Sequence, residues 1–175
     1  IDNYQTDLPI KKGLSSSAAI CVLAARAFNR LYDLKLTIRD EMELAYQGEI
    51  TTPSRCGRMD QGCAFGGRPV LMTFDGDQLD TAELHAGRDI HMVIVDLQAE
   101  KDTMTILRCL NRCYPYATNQ IQKDVHELLG PTNRRIVQQA VAALQEGNAE
   151  RLGALMTEAQ AAFDRYAIPA CPEQL

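Results

Sequence analysis

The sequence predicts an α/β protein, and two features of its 175 residues support that prediction. The first part alternates helical patterns with short β-branched runs, whereas the part after residue 100 reads as nearly all helix. The composition, 46% hydrophobic and 23% charged residues, is ordinary for a globular protein. The change of pattern predicts a boundary between residues 1–100 and residues 101–175, and the length allows one domain and part of another.

Two helices are predicted in the first part of the chain. Apolar residues recur with a helical period over residues 17–32. Thr37 predicts the cap of a second helix, with Glu41 in its first turns and its end near Glu49. Residues 50–68 are rich in Thr, Pro, Ser, Gly and Arg, which is typical of a loop.

Three strands are predicted to follow. Residues 69–74 and 78–84 flank Asp75-Gly76, which is a hairpin turn signal. The run His-Met-Val-Ile-Val-Asp-Leu at 91–97 is short, apolar and β-branched, so it is predicted to be a buried strand.

Four helices are predicted in the second part. Turn residues at Pro115, Gly130-Pro131 and Gly147-Asn148 separate them. Their predicted ranges are 102–113, 119–129, 132–147 and 149–165.

The composition also limits the function. The net charge of −5 argues against a general nucleic-acid surface, and no apolar run reaches the roughly 20 residues of a membrane span. Six cysteines are scattered without a paired framework, and Cys109 and Cys113 lack the partners of a zinc site. Reduced thiols and a cytoplasmic location are therefore expected. Because the chain starts without Met, we expect an internal piece of a longer protein.

The segment Gly13-Leu14-Ser15-Ser16-Ser17-Ala18 opens the first predicted helix and is a candidate phosphate-binding site. The first N–H groups of a helix have no partner within it and carry partial positive charge. Small side chains let a phosphate approach these groups, and serine hydroxyls add donors or reach a metal. The alternative is a plain N-cap formed by Ser15 or Ser16.

A second candidate cluster follows about forty residues later in the chain. Glu49 ends a helix, and Asp60 lies in a loop that also holds Arg55 and Arg58. Nearby arginines favour an ionised carboxylate, which can orient a substrate hydroxyl or accept its proton. Glu49 could provide the hard oxygen ligand that Mg²⁺ prefers. The alternatives are a solvated salt bridge for Asp60 and an exposed helix-end charge for Glu49.

These motifs, in this order, resemble those of the GHMP kinases, the superfamily of galactokinase, homoserine kinase and mevalonate kinase. The segment from Pro9 to Ala18 is similar to the ATP phosphate loop of the family, and its triple serine is closest to the galactokinase branch. The run Gly57-Arg-Met-Asp-Gln61 is similar to the segment with the galactokinase catalytic aspartate. The run 152–163 and Cys171-Pro-Glu resemble a later helix and turn of the family.

The resemblance implies roles for individual residues. Gly13 to Ala18 would bind the phosphates of ATP. Ser17, with Ser16 as the second choice, and Glu49 would bind Mg²⁺. Asp60 would be the catalytic base or orienting group for the hydroxyl that attacks the γ-phosphate. The implied activity is an ATP- and Mg²⁺-dependent kinase for a small molecule, most of all a monosaccharide.

The resemblance also implies a two-lobed fold. Residues 1–100 would form the ATP-binding lobe, with a mixed sheet, helices and an incomplete start. Residues 101–175 would form a truncated, helix-rich lobe with part of a ferredoxin-like core. The family's first motif and its glycine-rich third motif are absent from this sequence, so the isolated piece is expected to be inactive or very weak.

Two departures from galactokinases leave the substrate open. Arg58 stands where those enzymes usually have an apolar residue, and Lys101-Asp-Thr103 replaces the expected pattern. One alternative is a catalytically silent sugar- and ATP-binding regulator on the same fold. Another is a GHMP kinase for a non-sugar alcohol such as mevalonate. The sequence gives no indication of the oligomeric state.

Overall fold

The structure is a computed structural model in two compact units, and each unit is treated by itself. The described residues are 5, 6, 8, 13–52, 57–96 and 103–172. The units are Ile1–Glu83 with Val95–Glu100, and Leu84–Ile94 with Lys101–Leu175.

The first unit begins with the two predicted helices. Helix α1 spans Ser16–Leu31 and helix α2 spans Ile38–Ile50, each within two residues of the predicted bounds. Thr37 caps α2 as predicted, since its side chain accepts a hydrogen bond from the Asp40 N–H and its own N–H donates to the Asp40 carboxylate. The α2 residue that completes the capping box is therefore Asp40, and the next residue is free to face the core.

The predicted loop over 50–68 is partly wrong. A 3-10 helix, Asp60–Phe65, lies within it, and α2 continues to Ile50. The physical reason is burial, because Ala64 and Phe65 pack into the core with exposures of only 2% and 6%. Residues 53–56 of this segment lie outside the described part of the chain.

The predicted hairpin is confirmed. Strand β1, Val70–Asp75, pairs antiparallel with strand β2, Gln78–Glu83, and Asp75 lies opposite Gln78. Gly76 has a φ of 58°, a left-handed conformation that glycine adopts without steric cost. The Asp75-Gly76 signal therefore located the turn correctly.

Side chains from both helices, the 3-10 helix and β2 form one apolar core in this unit. Its buried members are Val22, Met42, Ala45, Ala64, Phe65 and Leu79.

A polar contact connects the same helical elements. Arg26 of α1 donates to the buried Glu41 carboxylate of α2 at 2.8 Å and to the Ala64 carbonyl of the 3-10 helix at 2.7 Å. Three segments that are distant in sequence are thus held together on one side of the first unit.

The prediction of a buried strand at 91–97 is wrong for the described residues 91–96. These residues belong to no strand, and Val93 and Ile94 are 90% and 74% exposed. A strand needs a hydrogen-bonded neighbour, and the sheet within the described residues consists of β1 and β2. β-Branched composition alone did not provide one. Leu97 lies outside the described residues.

The second unit contains the four predicted helices. They are α3, Thr103–Asn111, α4, Gln120–Glu127, α5, Asn133–Glu146, and α6, Ala149–Tyr166. The predicted break at Gly130-Pro131 is a π-helical turn, Leu128–Thr132, rather than a loop. A π-turn accommodates a proline, which lacks the N–H that an α-helix would use there.

The last two helices meet at a short connection that the sequence predicted. Gly147 ends α5 in the left-handed conformation, and the Asn148 side chain accepts a hydrogen bond from the Arg151 N–H at 2.9 Å, which caps α6. Helices with a small antiparallel sheet are thus the observed secondary structure. Among the described residues, no helix has the length and apolarity to cross a membrane.

Candidate active site

The serine-rich segment leads directly into the N-terminus of α1. Ser15 lies at the N-cap position with a left-handed φ of 55°, and its side chain makes no capping hydrogen bond with the described residues. Its carbonyl accepts the first helical hydrogen bond, from the Ala19 N–H at 3.0 Å. The plain N-cap alternative is therefore not what this geometry shows, and the N–H groups of the accessible residues up to Ser17 are the candidate donors to an anion.

The predicted phosphate-binding residues differ in their accessibility. Gly13 is exposed, has a φ of 76° and has no atom within 4 Å of a Cβ built on it. Leu14 and Ser17 are exposed, whereas Ser15 and Ser16 are half-buried. Ala18 is fully buried in the first unit. The open part of the predicted loop thus extends from Gly13 to Ser17, and Pro9 to Lys12 lie outside the described residues.

The two predicted magnesium ligands are in direct contact. The Ser17 hydroxyl donates to Glu49 Oε1 at 2.6 Å, which joins the N-terminus of α1 to the C-terminal end of α2. Glu49 is only 1% exposed, so the prediction of an exposed helix-end charge is wrong.

A third residue, to which the motifs assign no role, completes this group. Gln61 is fully buried, and its Nε2 donates to Glu49 Oε2 at 2.7 Å. Both oxygens of Glu49 are therefore held, one by a hydroxyl and one by an amide. The signal for Gln61 was its place in the Met-Asp-Gln run beside the candidate base.

Asp60 begins the 3-10 helix and is half-buried, and Gln61 follows it directly. The alternative for Asp60, a solvated salt bridge, is not formed with Arg58. Arg58 instead donates to the Glu43 carboxylate and to the Asp77 carbonyl, and its guanidinium lies 4.9 Å from the centre of the Tyr46 ring. Those groups draw Arg58 away because they provide a carboxylate, a carbonyl and an aromatic face together. Arg55 lies outside the described residues.

The negative charge of this group affects two neighbouring cysteines. Burial, together with the charge of Glu49, raises the pKa of the Cys21 thiol. Burial raises the pKa of Cys63 as well, with further increases from the charges of Asp60 and Glu49. Both carboxylates thus act on the same thiol, Cys63, and carboxylates that lie this close to each other favour a cation.

The Ser17 and Glu49 oxygens fit a magnesium ion. Mg²⁺ is usually held by one or two carboxylates and by substrate phosphates, with several waters retained. In the described residues, no three His, Cys, Asp or Glu side chains cluster closely enough to hold a metal by themselves. The protein would therefore contribute a minority of the ligands, and a bound nucleotide would contribute others.

A surface cleft elsewhere in the first unit is not the candidate site. It has a volume of about 400 Å³ and is lined by Arg39, Glu43, Arg58 and Asp77 among others. Neither Ser17 nor Glu49 lines it, so cavity shape and side-chain chemistry point to different places. The chemistry is the better guide, because the serine and the carboxylate are joined to a bare helix N-terminus.

Comparisons with known proteins agree with the motifs. Residues 3–67 match the family model of the GHMP kinases N terminal domain. The chain is 29% identical to a galactokinase of Roseiflexus sp. (strain RS-1), over 93% of this chain and 50% of that protein. It is 27% identical to a galactokinase of Thermotoga maritima, over 88% of this chain and 50% of that protein. No solved structure matches the chain significantly.

The predicted resemblance is thus confirmed, and the matched range includes every residue that the sequence analysis placed in the site. The chain spans about half the length of the curated relatives that it matches.

Proposed function

We propose that this chain contributes the phosphate and metal site of a sugar kinase, because its sequence is similar to the GHMP kinases and, among them, to galactokinases. The reaction would transfer the γ-phosphate of ATP to a hydroxyl of a monosaccharide. One observation supports this most directly. The Ser17 hydroxyl, at the N-terminus of α1, is 2.6 Å from Glu49 Oε1, and both oxygens are of the kind that Mg²⁺ prefers.

In this proposal the N-terminus of α1 binds the phosphates of ATP. The N–H groups from Gly13 to Ala18 and the hydroxyls of Ser15, Ser16 and Ser17 are the candidate donors. Burial of Ala18 gives it mainly the role of a small residue that lets α1 approach the core. Ser17 and Glu49 would hold Mg²⁺, which neutralises phosphate charge when it is bound. Gln61 would fix the orientation of the Glu49 carboxylate.

Asp60 is the proposed catalytic residue. Its carboxylate would accept a hydrogen bond or the proton from the attacking sugar hydroxyl, and its half-buried position leaves it partly accessible to a substrate. The adjacent Gln61 donates to Glu49 at 2.7 Å, so Asp60 lies one residue along the chain from a partner of the proposed magnesium ligand. In-line transfer of a phosphoryl group depends mainly on such positioning and on charge stabilisation.

The test is the Asp60→Asn variant of the full-length protein, assayed with ATP, Mg²⁺ and a panel of monosaccharides that includes galactose. We expect kcat to fall by about 10²–10⁴ with ATP binding retained, because a positioned general base contributes about that much. Asp75→Asn, an exposed aspartate of the β-hairpin, is the matched control and should leave kcat unchanged. Unchanged turnover in Asp60→Asn would overturn the assignment.

The wild-type panel also separates the alternatives. ATP consumption with a monosaccharide supports a sugar kinase, and consumption only with an alcohol such as mevalonate supports the other GHMP specificity. Binding of sugar and ATP without turnover would indicate a silent regulator. The galactokinase relatives favour the first outcome.

The two-lobed arrangement, the domain limits at 1–100 and 101–175, the ferredoxin-like core and a cytoplasmic location are part of the same proposal. Their basis is the similarity to galactokinases over most of this chain, since the match to the GHMP N-terminal domain covers residues 3–67.

A further inference from the structure

Two cysteines of the second unit meet across a long stretch of chain. Cys109 lies on α3, and Cys171 follows the 3-10 turn Ile168–Ala170 that comes after α6. They are 62 residues apart in sequence, and their Sγ atoms are 2.8 Å apart. A disulfide bond needs an S–S distance of about 2.05 Å, so the two sulfur atoms need to approach by less than about 1 Å.

The two thiols differ in their exposure to solvent. Cys109 is half-buried, whereas Cys171 is 2% exposed. A small oxidant in solution therefore reaches Cys109 first, and Cys171 is already positioned to react with the product. An accessible thiol beside a second one is the usual arrangement of a redox-sensitive pair.

A third cysteine lies nearby and is a poorer partner. The Cys113 thiol is directed to the Cys109 carbonyl, at 3.7 Å, rather than to the Cys109 sulfur. This direction is what distinguishes the two candidates, since Cys113 and Cys171 are both buried, at 4% and 2% exposure.

We propose that Cys109 and Cys171 form a peroxide-sensitive pair that closes to an intramolecular disulfide. Hydrogen peroxide oxidises the Cys109 thiol to a sulfenic acid and is itself reduced to water. The Cys171 sulfur then attacks the Cys109 sulfur, and a second water leaves. In total, two thiols and one peroxide give one disulfide and two waters.

The closed bond would connect α3 to the end of the α6 segment. These elements share one apolar core, in which Ile106, Leu110, Cys113 and Ala167 are buried together. A crosslink between two elements that already pack against each other, over a long loop, restricts mainly the unfolded chain. Oxidation is therefore expected to stabilise the second unit without rearranging it.

The test treats the full-length protein with hydrogen peroxide and maps the products by peptide mass spectrometry. We expect the loss of two thiols, a peptide crosslink between Cys109 and Cys171, complete reversal by dithiothreitol, and a melting temperature several degrees higher in the oxidised form. The protein is first reduced with dithiothreitol, which is then removed, so that both sulfur atoms are thiols before peroxide is added. The mapping includes Cys56, which lies outside the described residues.

Variants separate this pair from the other thiols. Cys109→Ala and Cys171→Ala should each abolish the crosslink, whereas Cys113→Ala and Cys63→Ala should retain it. If a variant of a buried cysteine fails to fold, the crosslinked peptides of the wild-type protein still identify the pair. A crosslink from Cys109 to Cys113, oxidation of Cys109 to a sulfinic acid with no crosslink, or no thiol loss would each overturn the proposal.

Discussion

Helix α2 has a buried glutamate near each end, and the two carboxylates have different kinds of hydrogen-bond partner. Glu41, near the N-terminal end, is 5% exposed and accepts hydrogen bonds from the Arg26 guanidinium and from the Asn29 amide, each at 2.8 Å. Glu49, near the C-terminal end, is 1% exposed, and its described partners, a serine hydroxyl and a glutamine amide, are both neutral.

This difference bears on the proposed metal-binding role of Glu49. Burying a carboxylate is costly unless a cation or strong hydrogen bonds compensate it. Glu41 has its cation within the fold, so its charge is used to join α1, α2 and the 3-10 helix. Glu49 has no cation among the described residues and lies beside a serine-rich helix N-terminus. The carboxylate without an internal cation is the one that is suited to bind a metal.

Replacing the charge of Glu41 should have the largest effect on stability. Glu41→Gln leaves the Arg26 guanidinium without its counter-ion, and we expect the free energy of unfolding to fall by about 3 kcal/mol. Urea unfolding of the full-length protein measures this. The control is Glu158→Gln, which breaks an ion pair of about half-exposed side chains, 48% and 41%, and should cost less than about 1 kcal/mol. Equal losses in the two variants would contradict a structural role for Glu41.

The same change at Glu49 should affect catalysis instead. We expect Glu49→Gln to lower kcat/KM at fixed Mg²⁺ by about 100-fold, or about 2.7 kcal/mol, because the neutral amide is a poor Mg²⁺ ligand. Stability should be unchanged or higher, since a buried carboxylate without a described cation is removed. A Mg²⁺ titration of activity, run beside the urea experiment, checks both parts. If Glu49→Gln lost as much stability as Glu41→Gln, the two glutamates would have the same structural role.

The serines at the N-terminus of α1 provide a smaller and more local test. Ser17→Ala should raise the Mg²⁺ concentration needed for half-maximal activity about tenfold, because it removes the hydroxyl that contacts Glu49. Ser16→Ala is the matched control on the neighbouring residue and should change that concentration less. If Ser16→Ala had the larger effect, Ser16 would replace Ser17 as the proposed ligand.

The smallest effect concerns the capping box of α2. Hydrogen bonds from Thr37 lower the pKa of Asp40. A group with a lowered folded-state pKa stabilises the fold above its unfolded pKa, about 3.9, and this contribution is lost as the pH falls through the folded value. Wild type should therefore lose slightly more stability than Asp40→Asn between pH 5 and pH 2, as measured by urea unfolding. Asp164→Asn, an exposed change on α6, is the control, and an identical pH dependence in all three proteins would contradict the expectation.

Local signals in the sequence predicted most of the helices and the hairpin. Such signals mark the ends of helices and strands by hydrogen bonds or backbone conformation within a few residues, so their effects can be read from the sequence. Examples are Thr37, Asp75-Gly76 and Gly147-Asn148. The strand prediction for residues 91–96 was wrong because a strand depends on a hydrogen-bonded neighbour that local composition does not reveal.

The residues of the candidate site could be predicted from the sequence, but their contacts could not. The motif residues Ser17 and Glu49 could be chosen from the sequence, but their contact depends on how α1 packs against α2. Arg58 could not be placed either, since its partner Glu43 lies on another element. The contact of Gln61 with Glu49 has the same origin, a tertiary approach that short-range patterns do not encode.

The left-handed conformation of Ser15 has a consequence for the energetics of ligand binding. A non-glycine residue in this conformation costs about 1–2 kcal/mol, and that cost is met during folding rather than when a ligand arrives. Successive N–H groups next to such a residue form a concave nest for an anion. In the proposed phosphate site this part of the loop is therefore preorganised, and a phosphate would lose less affinity to the ordering of the loop.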